Sequence, residues 1–276
     1  MMRHFGVLIP STNTTVEIEY NRLLPSTLQV HVGRLGKGDN TPFAPSRPDD
    51  IAYQARLLGT AQVEVVCLIQ TSASLSADEY DATTTRQMTA GAGVPSLTSA
   101  QAIGQAVRAL GARRIALVSP YSQEVLGRAR QYFESRYGVE VVAMEGFGTT
   151  DSYAISTISA DHATAAFTRV DRPEIEALVV PGGNLGFQAQ SPDFLRLAGH
   201  SRRAPERIIL TLSIKTKRCA FFSVCMSSVI QTFLVSKHDE RGCWALLQPF
   251  ERLSLAAYRK FSARCAWNPA MGLSHT

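Results

Sequence analysis

The sequence predicts an α/β fold of two pseudo-symmetric lobes with parallel sheets and an interlobe cleft, followed by an irregular C-terminal part. Three observations predict it. Between residues 5 and 180, short apolar runs alternate with longer helix-like stretches, the pattern of buried parallel strands covered by helices on both faces. Phe-Gly-Val-Leu-Ile-Pro10-Ser-Thr-Asn resembles Ile-Ala-Leu-Val-Ser-Pro120-Tyr-Ser-Gln, and Glu64–Ser72 resembles Glu176–Asn184, so the two halves repeat in order. Near residue 190 the composition changes. Echoes of this kind also arise in any doubly wound protein, and sequence alone leaves that alternative open.

Taken in order, strands are expected at Phe5–Ile9, Val63–Ile69, Arg114–Val118, Val139–Ala143 and Ala177–Val180, each a brief apolar run. Helices are expected at Val16–Leu24, with Glu17 and Glu19 in its first turn, and at Ile51–Thr60, Ser99–Leu110, Gln123–Tyr137 and Ala160–Val170. A further helix carries Asp78 and Glu79. Gly111 and Gly138 fall where helices should stop before the next strand. The spacing from Pro10 to Gln70 is 60 positions and from Pro120 to Gly182 is 62, so two strand-end loops are placed alike in each half. The divisions expected are a first Rossmann-like lobe over 1–110, a second over 111–190, and an atypical tail over 191–276.

The chain's 276 residues suffice to bury a sizeable core. Its net charge of +5 is unevenly spread: residues 1–190 hold 15 Lys and Arg against 18 Asp and Glu, whereas residues 191–276 hold 13 against 5. The basic character belongs to the tail, which removes the warrant for nucleic-acid binding by residues 1–190. The run after Met1 is too short for a secretory signal, so a cytoplasmic protein with reduced thiols is expected. No CxxC or Cys/His ligand pair occurs, and the six histidines are scattered, giving no metal site.

Candidate chemistry lies in four loops. Pro10-Ser11-Thr12-Asn13-Thr14-Thr15 offers hydroxyls, an amide and backbone N–H groups at a helix start, suited to a carboxylate or phosphate; an ordinary helix cap explains it as well. Gln70-Thr71-Ser72-Ala73-Ser74 has the same two readings. Tyr121 stands just past a strand, where a phenol could donate to an anion or simply pack. Pro181-Gly182-Gly183-Asn184 permits close approach of a ligand to the backbone or makes a tight turn. Gly33-Arg34-Leu35-Gly36-Lys37-Gly38 lacks the ending of a phosphate loop and reads as a flexible active-site loop.

In order and spacing the four loops resemble the aspartate/glutamate racemase superfamily, in the branch of maleate cis–trans isomerase and arylmalonate decarboxylase, over about residues 4–190. The resemblance implies two lobes holding a small mono- or dicarboxylate without metal or organic cofactor. It implies that Thr71, Ser72 and Tyr121 stabilise the enediolate-like anion, because developing charge beside a carboxylate needs preorganised donors. It places Asn13, Ser11, Gln70, Gly182, Gly183 and Asn184, with those three, around the substrate. The family's two cysteine positions fall on Gln70 and Gly182, neither of which can shuttle a proton or attack a double bond. Cys67, three residues earlier in an apolar run, reads as a buried small hydrophobe. The implied activity is that of a cofactor-independent isomerase or decarboxylase with both usual cysteines replaced; the alternative is a catalytically degenerate carboxylate-binding protein. Self-association is left open.

The tail departs from this pattern. Four of the five cysteines and both tryptophans follow residue 190, while 16 of the 19 glycines precede it. A frameshift or misassembled gene would produce such a break; a basic appendage for an anionic partner is the alternative. Cys219–Ser236 reaches the minimum length of a membrane span, but its four Ser, one Thr and one Gln argue against one.

Overall fold

The computed structural model describes residues 2–24, 26–39, 43–109, 111–185 and three short strands at 208–210, 214–216 and 220–222. The first sheet is built from β1 (Arg3–Pro10), β2 (Leu28–Leu35), β3 (Val66–Leu68) and β4 (Ser96–Thr98), all parallel in the order β2-β1-β3-β4. Around it lie α1 (Val16–Leu23), α2 (Pro48–Thr60), α3 (Tyr80–Ala92) and α4 (Ser99–Ala109).

Every residue of β1 from Phe5 to Ile9 is buried, because both faces of the sheet are covered. Alternation decides which layer each joins. Phe5, Val7 and Ile9 pack with Cys67, Ile69, Val16 and Tyr20 on one face. Leu8, Val66 and Leu68 pack with Ile51, Ala55 and Leu58 of α2 and Met88 of α3 on the other.

The second sheet repeats the plan. Its parallel part runs β6-β5-β7-β8, from β5 (Arg114–Ser119), β6 (Glu140–Gly146), β7 (Ala177–Val179) and β8 (Ile208–Leu210). Strand for strand this is the order of the first sheet. Two antiparallel strands, β9 (Ile214–Thr216) and β10 (Ala220–Phe222), extend it beyond β8. Helix α5 (Gln123–Tyr137) covers one face with Leu126, Ala129 and Phe133. Helix α6 (Ala160–Val170) covers the other with Ala163, Ala166 and Phe167. Ala100, Ile103 and Val107 of α4 join the second sheet's core while Ala102 joins the first, so this helix is shared.

Most predicted elements lie within a few residues of those found, and α5 and α6 match end to end. Gly138 ends α5 with φ +65°, and Gly111 follows α4 with φ +67°. Three expectations are corrected. Strands β2 and β4 had not been expected. Asp78 and Glu79 precede α3 rather than lie in it. Gly33, Arg34 and Leu35 end β2, paired with Leu8, Ile9 and Pro10, so only Gly36 onward is loop. Among the described residues no helix is long and apolar enough to cross a membrane. The run Cys219–Ser236 lies outside the described residues except for β10, as do Cys225, Cys243, Cys265, His200, His238, His275 and both tryptophans.

Candidate active site

In each sheet the strand order reverses beside the central strand, between β1 and β3 and again between β5 and β7. Crevices open at such points beyond the carboxyl ends of parallel strands. The four polar loops leave these strand ends and meet around one cavity of about 570 Å³, its open mouth included. Ser11, Asn13, Gln70, Thr71, Ser72, Tyr121, Gly182, Gly183 and Asn184, all of the residues singled out in the sequence, line it. Apolar lining comes from Leu35, Phe43, Ile69 and Ile155.

The side chains differ in what they do there. Asn13 reaches across the lobes: its Nδ2 donates to the Gly183 carbonyl at 3.1 Å while its Oδ1 accepts from Thr15 N (3.1 Å) and Val16 N (3.0 Å) at the start of α1. Asn184 reaches back. Its Oδ1 accepts from Thr14 N at 2.9 Å and from Thr15 Oγ1 at 3.2 Å, and its Nδ2 donates to the Ser152 carbonyl at 2.8 Å. The two amides form a reciprocal clasp between lobes at the edge of the cavity. Both polar atoms of Asn13 are thus taken up by the protein: its carbonyl oxygen caps α1, and its amide nitrogen holds the opposite lobe.

Gln70 is turned toward the segment after β2. Its Oε1 accepts from Ser46 N at 3.0 Å and Ser46 Oγ at 2.8 Å, and its Nε2 donates to the Ala44 carbonyl at 2.9 Å. All of these groups are buried, so the bonds hold a strap over the cavity rather than decorate it. The strap is further pinned by Gly38 N to the Pro45 carbonyl (2.9 Å) and Gly36 N to Asp50 Oδ2 (2.8 Å). Phe43, in the left-handed region at φ +59°, carries its ring onto Tyr121 of the second lobe, centroids 5.0 Å apart. A bulky residue in that conformation is strained; burial of its ring against both second-lobe core clusters offsets the cost.

Thr71 Oγ1 pairs with Ser99 Oγ at 2.9 Å, both buried. Tyr121 is buried, and desolvation pushes its phenol well above the usual range, partly offset by donation from the Ser72 hydroxyl and backbone N–H. It stays protonated at neutral pH and can donate a hydrogen bond. The backbone N–H groups of Thr12, Thr71, Gly183 and Asn184 find no acceptor among the described residues. Lining N–H groups of this kind suit an anion.

Gly182 has φ +153°, and a Cβ there would stand 2.8 Å from Pro120 Cδ. Its place in the loop is thus fixed by backbone conformation and by the neighbouring proline. Cys67 is fully buried in β3. His4 and His31 lie together on β1 and β2, their ring nitrogens 2.9 Å apart, near the strand starts and away from the loops. Among the described residues no three His, Cys, Asp or Glu side chains are grouped to hold a metal ion.

Sequence reasoning missed the strap (Phe43, Ala44, Ser46), Ser99 and Ser152, whereas Lys37 falls in the stretch it read as a flexible active-site loop. Lys37 lines the mouth and is the one charged side chain among the described lining residues. The glycine-rich stretch that contains it was the available signal.

The model of the arylmalonate decarboxylase family matches residues 5–200. The maleate isomerase of Nocardia farcinica is 25% identical over 190 residues, which cover 65% of this chain and 75% of that protein. Among solved structures, a cysteine-to-alanine variant of the maleate isomerase Iso from Pseudomonas putida S16 with maleate superposes with a TM-score of 0.66 at 20% identity, over 76% of this chain and 87% of that one. A doubly substituted arylmalonate decarboxylase in its liganded form gives 0.65 at 20% identity, over 83% and 92%. The two-lobed arrangement is the fold they share.

Proposed function

The chain belongs to the arylmalonate decarboxylase family, and from that membership we propose that it binds a small mono- or dicarboxylate between its lobes and acts on the carbon beside the carboxylate as a cofactor-independent isomerase or carboxy-lyase. The observation that carries this reading is the convergence of four loops, from equivalent strand ends of two like sheets, on one cavity lined by donors. In it the Tyr121 hydroxyl and the lining backbone N–H groups hold the carboxylate and stabilise the enediolate-like anion, while Ser72 donates to the Tyr121 oxygen and orients the phenol. Thr71 contributes its N–H, its hydroxyl being engaged by Ser99. Asn13, Ser11, Gly182, Gly183 and Asn184 shape the cradle and keep the lobes in register.

Gln70 and Gly182 stand where the family's cysteines would be. Isomerisation of a double bond by addition and elimination needs a nucleophile that can leave again, and neither residue is one. Loss of CO₂ asks less: the bond breaks as the anion is stabilised, and the carbanion can then take a proton from water at the open mouth. Tyr121, held protonated by burial, is a weak acid for that step and a sound hydrogen-bond donor. Decarboxylation is the reaction that this donor set serves best, with a product of mixed handedness.

A second reading is favoured by a specific observation: the amides of Asn13, Gln70 and Asn184 and the Thr71 hydroxyl are all used within the protein. A carboxylate-binding protein without turnover needs no more than such a cradle. Incubation with phenylmalonate, maleate and aspartate in heavy water, followed by NMR, separates the two. Phenylacetate carrying deuterium on its α carbon is expected; binding of a carboxylate without turnover or deuterium incorporation leaves the binding protein.

A further inference from the structure

We infer that Lys37 selects a ligand carrying a second anionic group, so that the cavity takes a dianion with one carboxylate in the neutral cradle and the other at the strap; this rests on the carboxylate reading above. Lys37 is exposed at the mouth, and no other described lining side chain is charged. It takes part in none of the ion pairs among the described residues. The neighbouring cation is already committed: Arg34 pairs with Glu17, and its Nη1 donates to the Ser11 and Asn13 carbonyls, each at 3.1 Å. Arg34 thereby braces the first loop and leaves Lys37 as the open charge.

The backbone of Lys37 is also fixed relative to the cradle. It bridges to Ser46, Ser46 is held by Gln70, and Gln70 leads directly into Thr71 and Ser72. A flexible side chain on a held backbone, flanked by Gly36 and Gly38, can sweep the mouth while the donors below stay still. The cradle itself supplies only neutral donors, which recognise a single carboxylate. A group bearing a second negative charge at the far end of the ligand meets an ammonium there.

Titration of the full chain with maleate and with its monoamide, a ligand of nearly the same shape and one charge fewer, tests this by calorimetry at pH 8. The wild-type protein is expected to prefer maleate by about five- to tenfold, the scale of one partly solvated ion pair. Lys37→Gln should abolish the preference by weakening maleate alone, and Lys37→Arg should keep it. The preference should also shrink with added salt. Retention of the full preference in Lys37→Gln, or equal weakening of both ligands, overturns the assignment while leaving the carboxylate reading intact. Failure of the wild-type protein to bind either ligand overturns both.

Discussion

At Gly182 a single backbone angle decides what chemistry the second loop can hold. With φ +153° and Pro120 Cδ 2.8 Å from any Cβ, every side chain is opposed there by backbone strain and by a rigid ring. Gly182→Ala is expected to lower stability by about 1–3 kcal/mol, read as a shift of the urea midpoint at unchanged slope; an unchanged midpoint would sink the steric argument. The sequence told that a ligand or a turn needed glycine here, and it placed the residue at the cavity. It could not tell of Pro120, because the contact crosses 62 positions of chain and depends on how β5 and β7 are paired. Gln70 teaches the same lesson. Its position was legible from the strand that ends before it, but its three hydrogen bonds lie with Ala44 and Ser46, in a segment with no periodic signal of its own.

Between elements, the strongest device is the pair of amides that ties the first loop to the fourth. Asn184→Ala leaves Thr14 N and the Ser152 carbonyl without their partner; water can reach these partly buried groups, so the cost is about 0.5–1.5 kcal/mol, that of a typical lost hydrogen bond. Hydrogen exchange at Thr14 should speed up markedly while exchange in the core of β1 stays as it was. Equal acceleration in both would mean that the substitution unfolds the lobe rather than opens the clasp. Helices and central strands were readable because their apolar patterns are strong: Phe5–Ile9 and Ile115–Ser119 are buried on both faces. Strand β2 escaped because it is an edge strand whose Gln29, His31 and Arg34 face outward or only half inward. Strand β4 escaped because it has only three residues, Ser96, Leu97 and Thr98.

Across the whole molecule, several tyrosines are buried with their protons on. Desolvation raises Tyr80 to about 12, and Tyr121 and Tyr132 are raised further, Tyr132 also by the Asp81 carboxylate that its hydroxyl meets. In the unfolded chain such groups lose their protons near pH 10. Between about pH 10 and 12 the unfolded state therefore binds fewer protons than the folded one, and stability falls as pH rises. Denaturant midpoints measured from pH 8 to 12 should be flat at first and then decline beyond pH 10; a flat profile to pH 12 would show that these hydroxyls reach solvent. The two-lobed plan was legible from the repeat itself, and the match of β6-β5-β7-β8 to β2-β1-β3-β4 gives that repeat its three-dimensional form. Equivalent places in the two lobes have nonetheless been filled in unlike ways. Gln70 grips a strap that a smaller residue would release, whereas Gly182 is walled in by Pro120. The two sides of the cavity therefore tolerate redesign in opposite ways: shortening residue 70 loosens the strap above the cavity, whereas lengthening residue 182 crowds a rigid ring beside it, so one wall fails by opening and the other by closing.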